Sequence, residues 1–314
     1  MPKHFTTFVI VLLGFIWGSS YILIYKSLKA FTPVQVAGLR MSIGGFILLP
    51  WVIKYTFFTK NIWSYNQEYT SFSLTRQDYF YLAVSGIIGI GIPSYLFSVA
   101  GKFIPSGLSG IITALTPIFT ILIGTLLYHE KITKKGALGV LFGLLGVIVI
   151  FAPSLLQTTS IPIFPTFLAL LSTLMYGYNI NLIKYKLSHL PPLAKTAFPL
   201  FFVSVIYVLI LSQTNIQEVF ETRPSLAWRA FKYVFLLGFF GSAVSMILFN
   251  LIIKKTSALA ASTNTFIIPL VAVFWGILNE EMFTWNSIAG LLLIIISLIV
   301  IIKPSKKGVD KKRS

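Results

Sequence analysis

The sequence contains no cysteine and few charged residues. None of its 314 residues is cysteine, which excludes disulfide bonds and thiol redox chemistry. Charged residues make up 11% of the chain, whereas a soluble domain carries about 25%. With 56% hydrophobic residues, the chain has too little polar surface to cover a soluble globule of this size. The composition therefore predicts a protein that lies in a lipid bilayer.

Acidic residues and histidines are also scarce, with eight Asp and Glu and three His. No Asp or Glu lies in the middle third of any long apolar stretch, and His4, His129 and His189 stand at the ends of such stretches. An intramembrane enzyme would need metal ligands or acid–base pairs there. No GxxxxGK phosphate loop supports the use of ATP. We therefore expect no cofactor, no metal and no enzymatic activity.

What the chain has in abundance is long apolar stretches. A helix needs about 20 apolar residues to cross the hydrocarbon core of a bilayer, and ten stretches approach that length. They cover residues 6–25, 33–55, 79–101, 106–128, 136–152, 163–185, 195–212, 230–253, 258–279 and 285–302. We predict an all-α integral membrane protein with ten transmembrane helices.

One segment occurs twice. A shift of 152 positions lays residues 81–124 over 233–276 without a gap. The matched pairs include Gly86 with Gly238, Gly89 with Gly241, Phe97 with Phe249, Pro117 with Pro269 and Gly124 with Gly276. Upstream, a shift of 159 lays Trp17-Gly18 over Tyr176-Gly177. The repeat predicts a first unit over 1–155, a second over 156–303, and a basic tail over 304–314.

The distribution of positive charge predicts the orientation. On the side of the N-terminus lie 18 of the 25 Lys and Arg residues, so both termini are expected in the cytoplasm of a multi-pass cell (plasma or inner) membrane protein. Five helices per unit is an odd number, so the second unit enters the bilayer from the opposite face. The result is two inverted five-helix repeats, as in many secondary transporters. Nucleic acid is not an expected partner, because no aromatic residues alternate with the basic ones.

At this point a family resemblance can be named. The residues that carry it are Trp17-Gly18-Ser19-Ser20, Pro33 and Arg40, then Pro117, Glu130 and Gly139, and their second copies Pro269, Glu281 and Gly290. In order and spacing they resemble the EamA-type permeases of the drug/metabolite transporter superfamily. The resemblance covers nearly the whole chain. It implies a ten-helix permease for amino acids, other metabolites or drug-like amphipathic solutes.

Polar and aromatic side chains inside the predicted helices are candidates for substrate binding. Five hydroxyl residues share one face of the fourth helix, as expected for a cavity wall or for a close helix–helix seam: Ser106, Ser109, Thr113, Thr116 and Thr120. The candidate set is Trp17, Ser20, Tyr21, Ser94, Ser98, Thr113, Thr116, Thr120, Tyr176, Asn179, Ser245, Asn250 and Thr265. The alternative role for these residues is packing, with their N–H and O–H groups satisfied within the protein.

A second set has a predicted structural or gating role: Arg40, Pro117, Pro269, Glu130 and Glu281. Arg40 is a charge inside a predicted span, which marks either a functional site or a side chain that reaches the membrane surface. Glu280 and Glu281 are its possible acidic partners. Glu130 and Glu281 are each expected to cap the helix that follows them.

The predicted function is transport of a small molecule by alternating access. Few charges among the candidates indicate a neutral or zwitterionic solute. Since no buried carboxylate is available as a proton relay, we expect facilitated diffusion or coupling near the membrane faces, and counter-transport also remains open. The alternative is a membrane-embedded enzyme or a signalling protein without transport activity. The lipid bilayer is the expected environment, and the sequence leaves the oligomeric state open.

Overall fold

The computed structural model of this chain is built from α-helices. It describes residues 3–57, 74–155, 162–249 and 264–302, and no strand occurs among them. Eight helices in these ranges are long and apolar enough to cross a membrane, and two further apolar helices are shorter. The prediction of an all-helical membrane protein is confirmed, and the count of ten transmembrane helices stays a prediction.

The ten helices have the following bounds. They are α1 (Lys3–Ser27), α2 (Pro33–Phe57), α3 (Arg76–Ala100), α4 (Ser106–Tyr128), α5 (Lys134–Leu155), α6 (Ile163–Lys186), α7 (Ala194–Leu211), α8 (Pro224–Phe249), α9 (Asn264–Leu278) and α10 (Trp285–Ile302). A short helix, Ile216–Thr222, precedes α8.

Four of the described helix starts differ from the prediction by two residues or more, and those of α1 and α3 come three residues earlier than predicted, at Lys3 and Arg76. Helix α8 begins at Pro224 rather than at residue 230, because a proline at the first helical position has the required φ and no N–H to satisfy. Helix α5 begins at Lys134 and so is longer than the predicted 136–152. The ninth predicted span starts at residue 258, which lies outside the described ranges.

Helices α3 and α8 contain π-helical segments at corresponding places. The segment in α3 covers Ile87–Gly91, and the segment in α8 covers Leu237–Val244. The shift of 152 that relates the two repeats lays the first segment inside the second. A π-helical turn is rare and frequently marks a functional site. The two segments therefore mark a region of α3 and α8 where functional side chains are expected.

Helices of the first repeat pack mainly against helices of the second. The contact pairs are α2 with α7, α5 with α10, and α4 with α9. Helix α1 also packs on α8 and α9, and its counterpart α6 packs on α3 and α4. These two contacts of α1 thus have counterparts in which the two repeats are exchanged.

Glycines make the closest of these contacts, and they do so at equivalent positions. A methyl group added at Gly86 would lie 2.5 Å from the carbonyl oxygen of Pro199. One added at Gly238, the equivalent glycine, would lie 3.0 Å from the carbonyl oxygen of Arg40, which is equivalent to Pro199. Small residues permit this backbone approach in membranes, where dispersion and hydrogen bonding replace the hydrophobic effect between helices.

A second pair of glycines repeats the pattern. A methyl group at Gly18 would lie 2.7 Å from Val271 Cβ, and one at Gly177 would lie 2.9 Å from Phe119 Cβ. Gly18 corresponds to Gly177, and Phe119 corresponds to Val271. The helix packing of one half is therefore reproduced in the other at the level of single residues.

The α2–α7 contact makes a first prediction. At Gly45, an added methyl group would lie 2.4 Å from Ser204 Cβ and 2.7 Å from the Leu200 carbonyl oxygen. We expect Gly45→Ala to lower the free energy of unfolding by about 1–3 kcal/mol through overpacking. Thermal unfolding of the purified protein measures the effect.

Gly136→Ala is the matched control for this substitution. The nearest neighbour of an added methyl there is a side-chain oxygen, Thr133 Oγ1, at 3.2 Å. We expect an unchanged or slightly raised melting temperature, because alanine is the better helix former. Equal melting temperatures for Gly45→Ala and the wild type would contradict the close packing of α2 on α7.

Candidate functional site

Polar side chains of α1, α2 and α8 meet beside the π-helical segment of α8. The indole Nε1 of Trp17 donates a 3.0 Å hydrogen bond to Ser245 Oγ, and it lies 3.3 Å from the Gly241 carbonyl oxygen. Nε of Arg40 donates a 3.0 Å bond to Ser242 Oγ. A methyl group at Gly241 would lie 3.1 Å from Ser20 Oγ and 3.9 Å from Arg40 Nη2, so the glycine admits both side chains. We call Trp17, Ser20, Arg40, Ser242 and Ser245 the arginine cluster.

The guanidinium group of Arg40 has unused hydrogen-bonding capacity. It carries five N–H donors, and the bond from Nε to Ser242 is the one that it donates to the described residues. The two ion pairs found in the described ranges join Lys184 with Glu130 and His189 with Asp78. Arg40 therefore has no acidic partner within these ranges, and Glu280 and Glu281 do not take the role that was predicted for them.

Aromatic rings line the neighbouring region. The ring of Phe97 stacks on Tyr176 at a centroid distance of 5.9 Å and meets Tyr21 edge-on at 5.6 Å. Phe249 meets Trp17 edge-on at 5.2 Å. The Phe249–Trp17 and Phe97–Tyr176 pairs occupy equivalent positions in the two repeats. We call these five residues the aromatic array, and Trp17 belongs both to this array and to the arginine cluster.

The hydroxyl face of α4 has two different roles. Thr113 Oγ1 accepts a 2.6 Å bond from Tyr21 and so belongs beside the aromatic array. Thr116 donates a 2.7 Å bond to the Thr113 carbonyl oxygen, the group that Pro117 leaves without its normal helical partner. Thr120 likewise bonds to the Thr116 carbonyl oxygen within its own helix. Thr116 and Thr120 therefore satisfy helix backbone, while Thr113 links two helices.

The predicted polar residues of α3 and α6, the helices equivalent to α8 and α1, form hydrogen bonds of their own. Asn179 Oδ1 accepts a 2.7 Å bond from Ser85 Oγ, and a methyl at Gly89 would lie 2.1 Å from Asn179 Cγ. Ser98 donates to the Ser94 carbonyl oxygen at 2.8 Å. The Ser94 hydroxyl is buried and has no partner among the described residues.

Two members of the candidate set cannot be placed, because Asn250 and the side chain of Thr265 lie outside the described part of the structure. Sequence reasoning also missed several residues. Phe97, Phe249, Ser85 and Ser242 all contact predicted members of the set. The two phenylalanines were visible as a repeat-equivalent pair, but nothing in the sequence separated them from ordinary apolar packing residues.

The role predicted for the two loop glutamates needs correction. Glu281 accepts a 2.7 Å bond from Ser106 Oγ and a 3.1 Å bond from the backbone N–H of Gly107. It thus caps the beginning of α4, not of α10, because the turn at Glu280, whose φ is 58°, directs the chain back toward the bundle. Thr284 is the residue that caps α10, by accepting from the Ser287 N–H at 3.2 Å.

In the first repeat, Glu130 pairs with Lys184 and Tyr185 of α6. Hydrogen bonds from these two groups lower the pKa of the Glu130 carboxyl below its ordinary value. Thr133 caps α5 by accepting from the Gly136 N–H at 3.0 Å, as Thr284 does for α10. A threonine three residues after each glutamate therefore performs the capping that the sequence analysis gave to the glutamate.

A basic depression of about 250 Å³ opens at the end of the bundle that is predicted to face outside. Its lining includes Lys26, Lys29, Arg229 and Tyr233. Lys26 lies six residues beyond Ser20 on α1, a distance of about 9 Å along a helix. Along α1 the depression is therefore nearer the predicted outer end than the arginine cluster is. A second depression, of about 320 Å³ and lined by Asp78 and His189 among others, lies at the opposite end.

Comparison with known proteins decides the class. The EamA-like transporter family matches residues 4–152 and again 163–303. The chain belongs to this family. The uncharacterized transporter YoaV of Bacillus subtilis (strain 168) is 24% identical over 291 residues, which are 91% of this chain and 92% of YoaV. The uncharacterized inner membrane transporter YedA of Escherichia coli (strain K12) is 24% identical over 275 residues, which are 83% of this chain and 78% of YedA.

A solved crystal structure covers 96% of this chain and 98% of its own, with a TM-score of 0.61 and 15% sequence identity. At that identity the likeness shows the fold alone. Family and relatives together identify this EamA-like protein as a multi-pass membrane transporter. The predicted resemblance is thereby confirmed.

The cap on α4 makes a second prediction. Glu281→Gln removes a charge that the N-terminus of α4 stabilises, so we expect the free energy of unfolding to fall by about 1 kcal/mol. The control is Glu280→Gln, the same substitution at an exposed neighbour whose side chain forms no hydrogen bond or ion pair with the described residues. Thermal unfolding compares the two, and equal melting temperatures would contradict the assigned cap.

Proposed function

We propose that this chain is a permease that carries a small organic solute by alternating access between two inverted five-helix repeats. The repeats cover 1–155 and 156–303, both termini face the cytoplasm, and 304–314 form a basic tail. The observation that carries the proposal is the exchange symmetry of the helix contacts. Gly86 approaches Pro199 as Gly238 approaches Arg40, and Gly18 approaches Val271 as Gly177 approaches Phe119.

Exchange symmetry matters because it supplies a mechanism. When two copies of one unit face each other across a shared site, each copy can adopt the conformation that the other has left. The site then opens to one membrane face and afterwards to the other. The two matches to the EamA-like family, on 4–152 and 163–303, support the division into repeats.

The proposed solute path passes between the arginine cluster and the aromatic array. Its lining residues are proposed to be Trp17, Ser20, Tyr21, Thr113, Tyr176 and Ser245, with Ser94, Ser98 and Asn179 on the α3–α6 side. Trp17 and Tyr176 occupy equivalent positions in the two repeats. Trp17 meets Phe249 of α8 edge-on, and Tyr176 stacks on Phe97 of α3. Aromatic walls with a few placed polar groups suit a small amphipathic organic molecule. We propose facilitated diffusion, since no acidic side chain lies in the arginine cluster or the aromatic array.

The inverted arrangement can be tested by labelling. The natural chain has no cysteine, so Lys131→Cys and Met282→Cys each introduce a single reactive thiol. The two positions are equivalent in the repeats, and both side chains are exposed. We expect a membrane-impermeant maleimide to label Met282→Cys from outside the cell and Lys131→Cys only in inverted vesicles. Labelling of both from one face would contradict inversion.

The solute path can be tested by transport. In proteoliposomes, a panel of amino acids, nucleosides and amphipathic drugs identifies a carried solute. Trp17→Ala and Thr113→Val are then expected to lower its transport at least tenfold, because the first removes an aromatic wall and the second removes the acceptor for Tyr21.

Two matched substitutions serve as controls for the transport assay. Trp285→Ala removes an indole that is 84% exposed at the start of α10. Thr173→Val removes a buried hydroxyl whose described bond goes to its own helix, at the Ala169 carbonyl oxygen. Both controls should transport normally. If Trp17→Ala and Thr113→Val also transport normally while folded, the proposed path is wrong.

A further inference from the structure

We infer that the transported solute is an organic anion, with a carboxylate held by Arg40 and a flat apolar body held by the aromatic array. The inference rests on the proposed transport function and names its substrate class. It replaces the neutral or zwitterionic solute that was expected from the sequence. Three features of the described residues carry it: the unused donors of Arg40, the absence of a nearby acid, and the basic depression at the predicted outer end.

Arg40 offers the geometry that a carboxylate requires. Its guanidinium group donates from Nε to Ser242 at 3.0 Å, and the described residues accept nothing from its terminal nitrogens. A planar fork of N–H groups binds the two oxygens of a carboxylate side by side. The Ser20 hydroxyl lies close to Gly241 beside Arg40 Nη2. It donates to the Ile16 carbonyl oxygen at 3.0 Å, so the carboxylate is assigned to Arg40 alone.

The charge of Arg40 also calls for a counter-charge. A cation within a membrane span is costly unless it is paired. The carboxylates of Asp78, Glu130 and Glu281 are each occupied elsewhere, with His189, Lys184 and the N-terminus of α4 respectively. Because the described residues supply no acidic partner, an anionic solute would bring the missing charge with it.

The same shortage of acids argues against a zwitterion. A bound amino acid would place its ammonium group close to its carboxylate, and so close to Arg40. The side chains that the structure places beside Arg40 carry the hydroxyls of Ser242 and Ser20. Neither of these carries a negative charge to receive an ammonium group, so a solute with net negative charge fits better.

The depression at the predicted outer end has the matching charge. Lys26, Lys29 and Arg229 line it, and none of them has an acidic partner in the described ranges. Like-signed charges around a recess raise the local concentration of the opposite ion. Anions would therefore gather about 9 Å above Ser20 along α1.

The apolar part of the solute is assigned to the aromatic array. Phe97 and Tyr176 stack, and Tyr21 meets Phe97 edge-on, so these rings form one aromatic surface. This surface is largely buried in this conformation and has Trp17 of the arginine cluster packed against it. Aromatic pairs prefer offset-stacked or edge-to-face arrangements. A planar ring a few bonds from the carboxylate would extend this surface.

Binding of four related compounds tests the inference. The protein is reconstituted in phosphatidylcholine nanodiscs, whose lipids carry no net charge, and dissociation constants are read from tryptophan fluorescence. The compounds are 3-phenylpropionate, phenylalanine, 3-phenylpropylamine and 3-phenylpropanol, which share a ring and differ in charge. We expect the propionate to bind at least tenfold more tightly than the other three. If any of the three binds as tightly as the propionate, the anion assignment is overturned.

Substitutions of Arg40 separate binding from folding. Arg40→Gln should weaken 3-phenylpropionate about 10- to 100-fold, as expected for loss of charged hydrogen bonds, and leave 3-phenylpropanol unchanged. Arg40→Lys keeps the charge but loses the fork, and should give an intermediate loss. Lys102→Gln, at an exposed cation on the same predicted face, is the control and should change neither constant.

Two results in the variants would overturn the inference. One is wild-type affinity for the propionate in Arg40→Gln. The other is an equal loss of the propionate and the alcohol in both Arg40 variants, which would mark a structural role. Because these measurements read binding, they stand apart from the transport assay: a protein that binds the anion but carries no solute contradicts the proposed function alone.

Discussion

The constraint on which this structure depends is that polar groups within a bilayer must find their partners inside the protein. Its effect is visible wherever a helix departs from regular geometry. Pro117 removes a backbone donor, and the hydroxyl of Thr116 takes its place on the Thr113 carbonyl oxygen. In the π-helical segments, Tyr207 donates to the Gly91 carbonyl oxygen at 3.0 Å, and Ser245 donates to that of Gly241 at 2.8 Å. In these three places the irregularity is thus paired with a side chain that satisfies it.

The same constraint explains how far the sequence could predict the site. Apolar length is a property of single helices, and it predicted the all-helical membrane protein correctly. The partner of a polar side chain depends on which helix faces it, and helical periodicity does not contain that information. Glu281 was therefore assigned to the wrong helix, and the backbone partner of Thr116 was not foreseen. Ser242 was left out of the candidate set because nothing in the sequence shows that an arginine lies opposite it.

The backbone packing is alike in the two halves, whereas the polar side chains differ. Equivalent glycines make equivalent contacts, so the backbone framework is close to symmetric. The polar groups are not: Arg40 corresponds to Pro199, and its partner Ser242 corresponds to Ile90. Trp17 donates to Ser245, whereas the equivalent positions hold Tyr176 and Pro93. The framework must be shared if the halves are to exchange conformations, but a solute needs only one set of specific partners.

The position of Arg40 links the charged site to the packing of α2 against α8. Arg40 lies on α2, and its backbone carbonyl is the atom that Gly238 of α8 approaches. Its side chain donates a hydrogen bond to Ser242, which lies in the π-helical segment of α8. Any movement of α8 relative to α2 would therefore change both the close helix contact and the position of the guanidinium group. A solute that binds the free N–H groups of Arg40 would act directly on the contact that the proposed exchange of conformations has to alter.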